Sequence, residues 1–172
     1  MTIVNAICNS FKVEILRGGH NLDTAGATPN GNAFKLALFS SDSASLSKTT
    51  TVYTAPSSAN AVPTNTLEVS QSQTDGGASN SGYTAGGTAL TVTATPVLSG
   101  DTACVKFNDV SFTSASFTAR GCLIYNNTNI SGFNNLRSVC VVNFGADKTV
   151  TSGTFTVQFP AQTASNAIVQ IA

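Results

Sequence analysis

From residue 88 onward, apolar and polar side chains alternate with a period of two, and this pattern most narrowly limits what the chain can fold into. A two-residue period puts alternate side chains on opposite faces of an extended strand, so one face can be buried while the other meets water. Leu90, Val92 and Ala94 alternate with Thr91, Thr93 and Thr95, and Pro96 with Ser99-Gly100-Asp101 then supplies a turn. Ala103, Val105 and Phe107 alternate with Cys104, Lys106 and Asn108. Residues 116–125 place Phe117, Ala119, Gly121, Leu123 and Tyr125 on one face, and Gly121 within such a run signals a bulge or a close backbone approach. Residues 139–144 are almost continuously apolar, as expected of a central strand, and 144–148 read as a turn. Phe155, Val157 and Phe159 alternate until Pro160, and residues 167–171 form a last strand that should be tied into a sheet.

Upstream, residues 34–39 add a strand with Phe34, Leu36 and Leu38 on one face and Lys35 and Phe39 on the other. About seven or eight strands at these spacings predict a mainly β fold, an antiparallel β-sandwich of jelly-roll-like type. The apolar spacing of Ile3, Ile7, Phe11 and Ile15 predicts one N-terminal helix over about residues 3–17, with Val4, Cys8 and Leu16 alongside and Gly18-Gly19 as its stop. That helix either docks on the sheet or reaches a neighbouring subunit. A Ser/Thr/Asn-rich stretch over about 40–87 reads as a long polar loop or arm, with short strands near 51–54 and 67–70. The whole chain, 1–172, is expected to form a single domain.

Composition decides what kind of surface this fold presents. Only 9% of residues are charged, against about a quarter in an average protein, and the net charge is zero. No net field favours nucleic acid or an anionic membrane, and no apolar run approaches a membrane span. Nothing electrostatic keeps copies apart, which suits life in an assembly. The opening MTIVNAICNSFKVEILRGG lacks the pattern of a secretory signal.

Catalytic chemistry finds few residues to work with. His20 is the only histidine; beside a helix end it is expected to cap last-turn carbonyls. Asp101, Asp109 and Asp147 sit next to turn residues and read as turn stabilisers. The four cysteines, Cys8, Cys104, Cys122 and Cys140, lack the paired spacing of a zinc site and read as buried thiols, or as one Cys122–Cys140 disulfide. No catalytic, cofactor-binding or metal-ligating set is expected, and no enzyme. Tyr53, Tyr83, Tyr125 and Phe133 are the candidates for an exposed sugar-binding platform, against the alternative that they pack in the core or in turns.

The segments NAICNSFKVEIL, FKLALFSS, SGYTAGGTAL, FTARGCLIYN, VNFGADKTVTSGTFTVQFP and NAIVQIA, in this order, resemble a group of small β-rich structural proteins of tailed bacteriophages. The chain departs from its shorter relatives in the stretch between Ser40 and Gly82. The resemblance implies a virion component assembled in the host cytoplasm: a capsid decoration or cement protein that binds and stabilises the major-capsid shell. The alternatives are a tail, neck or fibre component, or a receptor- or carbohydrate-binding module. The implied partners are the major capsid protein or other virion proteins, with a dimer or trimer of the chain itself and neither nucleic acid nor membrane. Helix and arm then supply the candidate interface: Ile3, Ile7, Phe11, Val52, Tyr53, Val62 and Leu67.

Overall fold

The computed structural model describes residues 3–24, 30–40, 46–53, 68–69 and 81–172. Among the described residues it is a mainly β structure with one short helix. The elements are β1 (Ala6–Ile7), α1 (Asn9–Leu16), β2 (Phe34–Phe39), β3 (Thr88–Leu90), β4 (Val97–Ser99), β5 (Thr102–Val105), β6 (Val110–Asn126), β7 (Arg137–Val157) and β8 (Val169–Ile171). A five-stranded sheet has the order β1-β7-β6-β2-β3, and a three-stranded sheet the order β4-β5-β8; every pairing is antiparallel. The sheets share one apolar core, with Phe34 of β2 edge-on to Phe107 and Phe107 against Phe159. This is the expected sandwich, and the last strand is tied in through Val169 opposite Val105.

The helix is shorter than the spacing predicts. Residues 3–8 are extended: Ala6 and Ile7 pair with Val141 and Cys140, and Cys8 N–H donates to the Val139 carbonyl at 2.9 Å. A spacing of four is also a multiple of two, so Ile3 and Ile7 satisfy strand and helix periods alike. Their β-branched side chains favour the strand. α1 starts only at Asn9 and lies against β7, burying Phe11 while Leu16 stays 89% exposed. Its end follows the expected stop. Gly18 takes φ +76°, its N–H reaches the Ile15 carbonyl, and the Gly19 N–H reaches that of Glu14. This is a Schellman motif, in which a left-handed residue satisfies the last carbonyls.

β6 and β7 form one long ribbon in place of separate short strands. The expected turn at 144–148 is instead an irregularity inside β7: Ala119 pairs with Lys148 while Gly121 pairs with Asn143. Further register shifts lie near Ser114 and Ser152, both at positive φ. Bulges of this kind bend a ribbon, and Phe144 and Phe155 end with ring centroids 6.1 Å apart although eleven positions separate them. At Gly121 a methyl group would overlap the Val142 carbonyl oxygen and press on Ile3 at 3.0 Å, so the close approach read from the sequence is real.

The described ends of the polar stretch belong to the core. Leu46, Tyr53, Val69 and Tyr83 are buried, Phe39 bridges to Glu68, and Val52 bridges to Arg137. There the chain is packed cladding, with Glu68 inside it; the rest of the expected arm lies outside the described residues.

Candidate functional site

Two polar clusters are built into the interior. The first gathers at the C-terminal end of α1, where the Gly18 turn carries the chain back over the β6–β7 ribbon. His20 is 6% exposed. Its Nε2–H donates to Glu14 Oε2 at 2.7 Å and its Nδ1 accepts from Asn126 Nδ2 at 3.1 Å. The expected capping of carbonyls by His20 is not made; Gly18 and Gly19 already do that work, leaving the imidazole for the carboxylate. Arg137, fully buried, donates to the Asn134 carbonyl at 2.7 Å and the Gly19 carbonyl at 2.8 Å. The Phe133 ring lies against both the Arg137 and Arg17 guanidiniums. Burial lowers the His20 pKa and outweighs the opposing pull of Glu14, with Arg137 adding a smaller push downward. The imidazole is therefore neutral at pH 7, with both nitrogens committed.

The second cluster brings all three tyrosines of the chain to one carboxylate or its neighbour. Glu68 Oε2 accepts from Tyr53 OH at 2.7 Å, and Oε1 accepts from Tyr83 OH at 2.5 Å and Gly86 N–H at 2.7 Å. Tyr125 OH donates to the Gly86 carbonyl at 2.6 Å, and its ring stacks on Tyr53 at 4.5 Å. Burial, reinforced by Glu68, raises the Tyr53 and Tyr83 pKa values strongly and lifts Tyr125 to about 12. These phenols donate hydrogen bonds and do not ionise in the neutral range. They are core residues, so the sugar-platform alternative loses Tyr53, Tyr83 and Tyr125, and Phe133 is only half-exposed between two arginines.

The four cysteines are free and buried. Burial pushes the Cys8 and Cys122 thiols up to about 12 and raises Cys140 as well, so these thiols are not activated nucleophiles. Among the described residues no group of His, Cys, Asp and Glu is arranged to hold a metal ion. No described helix is long and apolar enough to cross a membrane. Two of the three expected turn aspartates act across the fold: Asp109 accepts from Phe159 N–H at 2.8 Å, and Asp147 meets Arg120 at 3.5 Å.

The exterior has its own order. The outer face of the ribbon carries cross-strand hydroxyl pairs, Ser111 with Thr156 and Thr118 with Thr149. On the small sheet, Leu98, Ala103 and Ile171 stand side by side across three strands, with Leu98 74% and Ile171 52% exposed. A groove of about 560 Å³ separates this face from the end of α1, lined by Ile15, His20, Leu22, Val105, Val169 and Ile171 among others. A second groove of about 380 Å³ lies inside the bend of the ribbon, over Phe144, Phe155, Val157 and Phe159.

The residues proposed from sequence as an interface divide differently. Ile3, Phe11 and Tyr53 are in the chain's own core, and Ile7 and Val52 are half-buried in backbone pairings with β7. Ile3, Phe11 and Tyr53 are thus spent on the chain's own packing, while Ile7 and Val52 keep part of their surface exposed. Val62 and Leu67 lie outside the described residues. Glu68 had a signal in the sequence: it is the single charged residue between Lys48 and Asp75, set between Leu67 and Val69. The Leu98–Ala103–Ile171 row had none, because only strand register makes those three neighbours.

No protein-family model matches the chain, and neither curated proteins nor solved structures yielded a match.

Proposed function

We propose that the chain is a structural protein of a tailed-phage particle, a decoration or cement protein that binds the major-capsid shell. One observation carries the reading: among the described residues, the titratable side chains gathered in the interior, His20, Glu14, Arg137 and Glu68, are used to hold the chain to itself. His20, Glu14 and Arg137 lock α1 to the ribbon, and Glu68 draws the tyrosine-bearing segments onto the sheet. A general acid or base needs a group that can exchange a proton with substrate; these groups are engaged within the chain, His20, Arg137 and Glu68 buried and Glu14 partly so. The exposed apolar row on a chain of zero net charge suits a protein repeated among close neighbours. The segment resemblance supplies the choice of particle.

A tail, neck or fibre position uses the same surface with a different copy number. Mass counting of proteins released from purified particles separates the two. Hundreds of copies are expected for the head; a stoichiometry of three, six or twelve would move the chain to the tail. Absence from the particle, or turnover of a substrate by the purified chain, would overturn the structural role.

A further inference from the structure

The groove inside the bend of the ribbon owes its shape to a mismatch between two strands. Ala119 pairs with Lys148 and Gly121 with Asn143, so β7 uses four residues, 144–147, where β6 uses only Arg120. The extra length turns Phe144 back toward Phe155, whose ring lies 5.1 Å from that of Phe117. The resulting floor is aromatic and aliphatic. Phe144, Phe155, Val142 and Ile168 line it half-buried, with Val157 and Phe159 buried beside them.

One charge belongs to this groove, the ammonium of Lys148, which lines it. Register puts that side chain on the phenylalanine face of the ribbon. Thr118 and Thr149 pair their hydroxyls on the outer face, so the next pair, Ala119 and Lys148, faces inward, as the preceding pair of Phe117 and Val150 does. A lysine on an apolar face lays its aliphatic stem along that face and lifts its ammonium to the rim. Among the described residues this ammonium has no hydrogen-bond or ion-pair partner: the adjacent Asp147 is held by Arg120 at 3.5 Å, and no carboxylate lines the groove. The other polar lining residues, Thr156, Gln158 and Cys122, are neutral.

These features define a ligand. A volume of about 380 Å³ falls in the range of roughly 300–1,000 Å³ for small-molecule sites, which are mostly apolar with a few polar groups that fix orientation. A single ammonium without a counter-charge selects an anion. The floor selects a molecule whose remainder is hydrocarbon, because a sugar or nucleotide would leave its polar groups unpaired against phenylalanine. The geometry points to a free medium-chain fatty acid as the occupant, with its hydrocarbon along Phe144 and Phe155 and its carboxylate on Lys148. The assignment does not rest on the structural role proposed above.

Calorimetric titration of the full-length chain with decanoate, kept below the concentration at which it forms micelles, tests the assignment. Decyltrimethylammonium serves as the cation of equal chain length. Saturable binding of one decanoate per chain is expected, with the cation at least tenfold weaker. Lys148→Gln should weaken decanoate binding roughly tenfold, the loss of one hydrogen bond between charged groups. Lys148→Glu should reverse the preference between the two amphiphiles. Because Lys148 is exposed, both variants should keep the wild-type melting temperature. Val142→Phe, which fills the groove from its wall, should block binding. A wild-type chain that shows no saturable binding, or that binds both amphiphiles equally, overturns the assignment. So does decanoate binding that survives Lys148→Gln unchanged. An inward-pointing charge also discourages edge-to-edge pairing of strands. If Lys148→Gln self-associates while binding decanoate as before, the lysine guards a strand edge and the ligand site is removed.

Discussion

Arg137 shows how much one side chain can organise. It occupies the first position of β7, pairs in register with Asn126, and carries its guanidinium under Phe133 to two backbone carbonyls that end other segments. Its Nε makes no hydrogen bond and lies 4.0 Å from Glu14 Oε2. Losing Arg137 would strand the partly buried Glu14 and free two carbonyls. Arg137→Ala is expected to cost about 3–5 kcal/mol, the range for breaking a buried pair, read by urea unfolding. His20 gives the same cluster a pH dependence. Its folded pKa lies below the value near 6.5 of an unfolded histidine. Below that value the unfolded chain binds a proton that the folded chain resists. The stability His20 contributes is therefore present above about pH 6.5 and is lost as pH falls through the lower, folded pKa. Thermal melting between pH 8 and pH 5 should show this decline, and His20→Gln should flatten it. From sequence, His20 could be placed beside a helix end, but its partner could not be named. Glu14 is near it in the chain, whereas Asn126 and Arg137 arrive from more than a hundred positions away.

Among the elements, the ribbon of β6 and β7 sets the architecture. Its inner half is buried on both faces and makes the centre of the large sheet, while its outer half alternates a hydroxyl face with a face of phenylalanines. Gly121 marks the junction, where the β6 backbone passes close to Val142 and Ile3. Gly121→Ala forces one of these to move and should cost about 1–3 kcal/mol, the penalty for overpacking a filled site. That corresponds to roughly 2–4 °C of melting temperature for each kcal/mol in a chain of this size. The strands of this ribbon were legible because alternation survives burial on one face. Their fusion into one bent pair was not, because a glycine and an aspartate at 145 and 147 read equally well as a hairpin turn. The N-terminal segment failed for a related reason: Ile3 and Ile7 fit two periods, and only the partners waiting at Val139, Cys140 and Val141 decide between them.

At the scale of the whole molecule, the polar stretch changes meaning most. Read alone, residues 40–87 are too poor in apolar side chains to fold, and an arm follows. Among the described residues, those that exist are spent on the core: Tyr53 stacks on Tyr125, Val69 is buried, and Glu68 ties Tyr53 to Tyr83 and Gly86. Deleting residues 52–77 should therefore abolish cooperative unfolding, measured by calorimetry, and not merely weaken attachment to a shell; a deletion variant with a wild-type melting profile would refute this. The β character of the protein, its strand positions from residue 88 onward, its helix stop and its scarcity of charge were set by the sequence itself, because each depends on neighbours within a few positions. Which residues meet Glu68, which apolar row faces water and where a groove opens beside Leu16 were decided only by tertiary structure. Those relations depend on strand register and sheet order, which join residues that the chain keeps far apart.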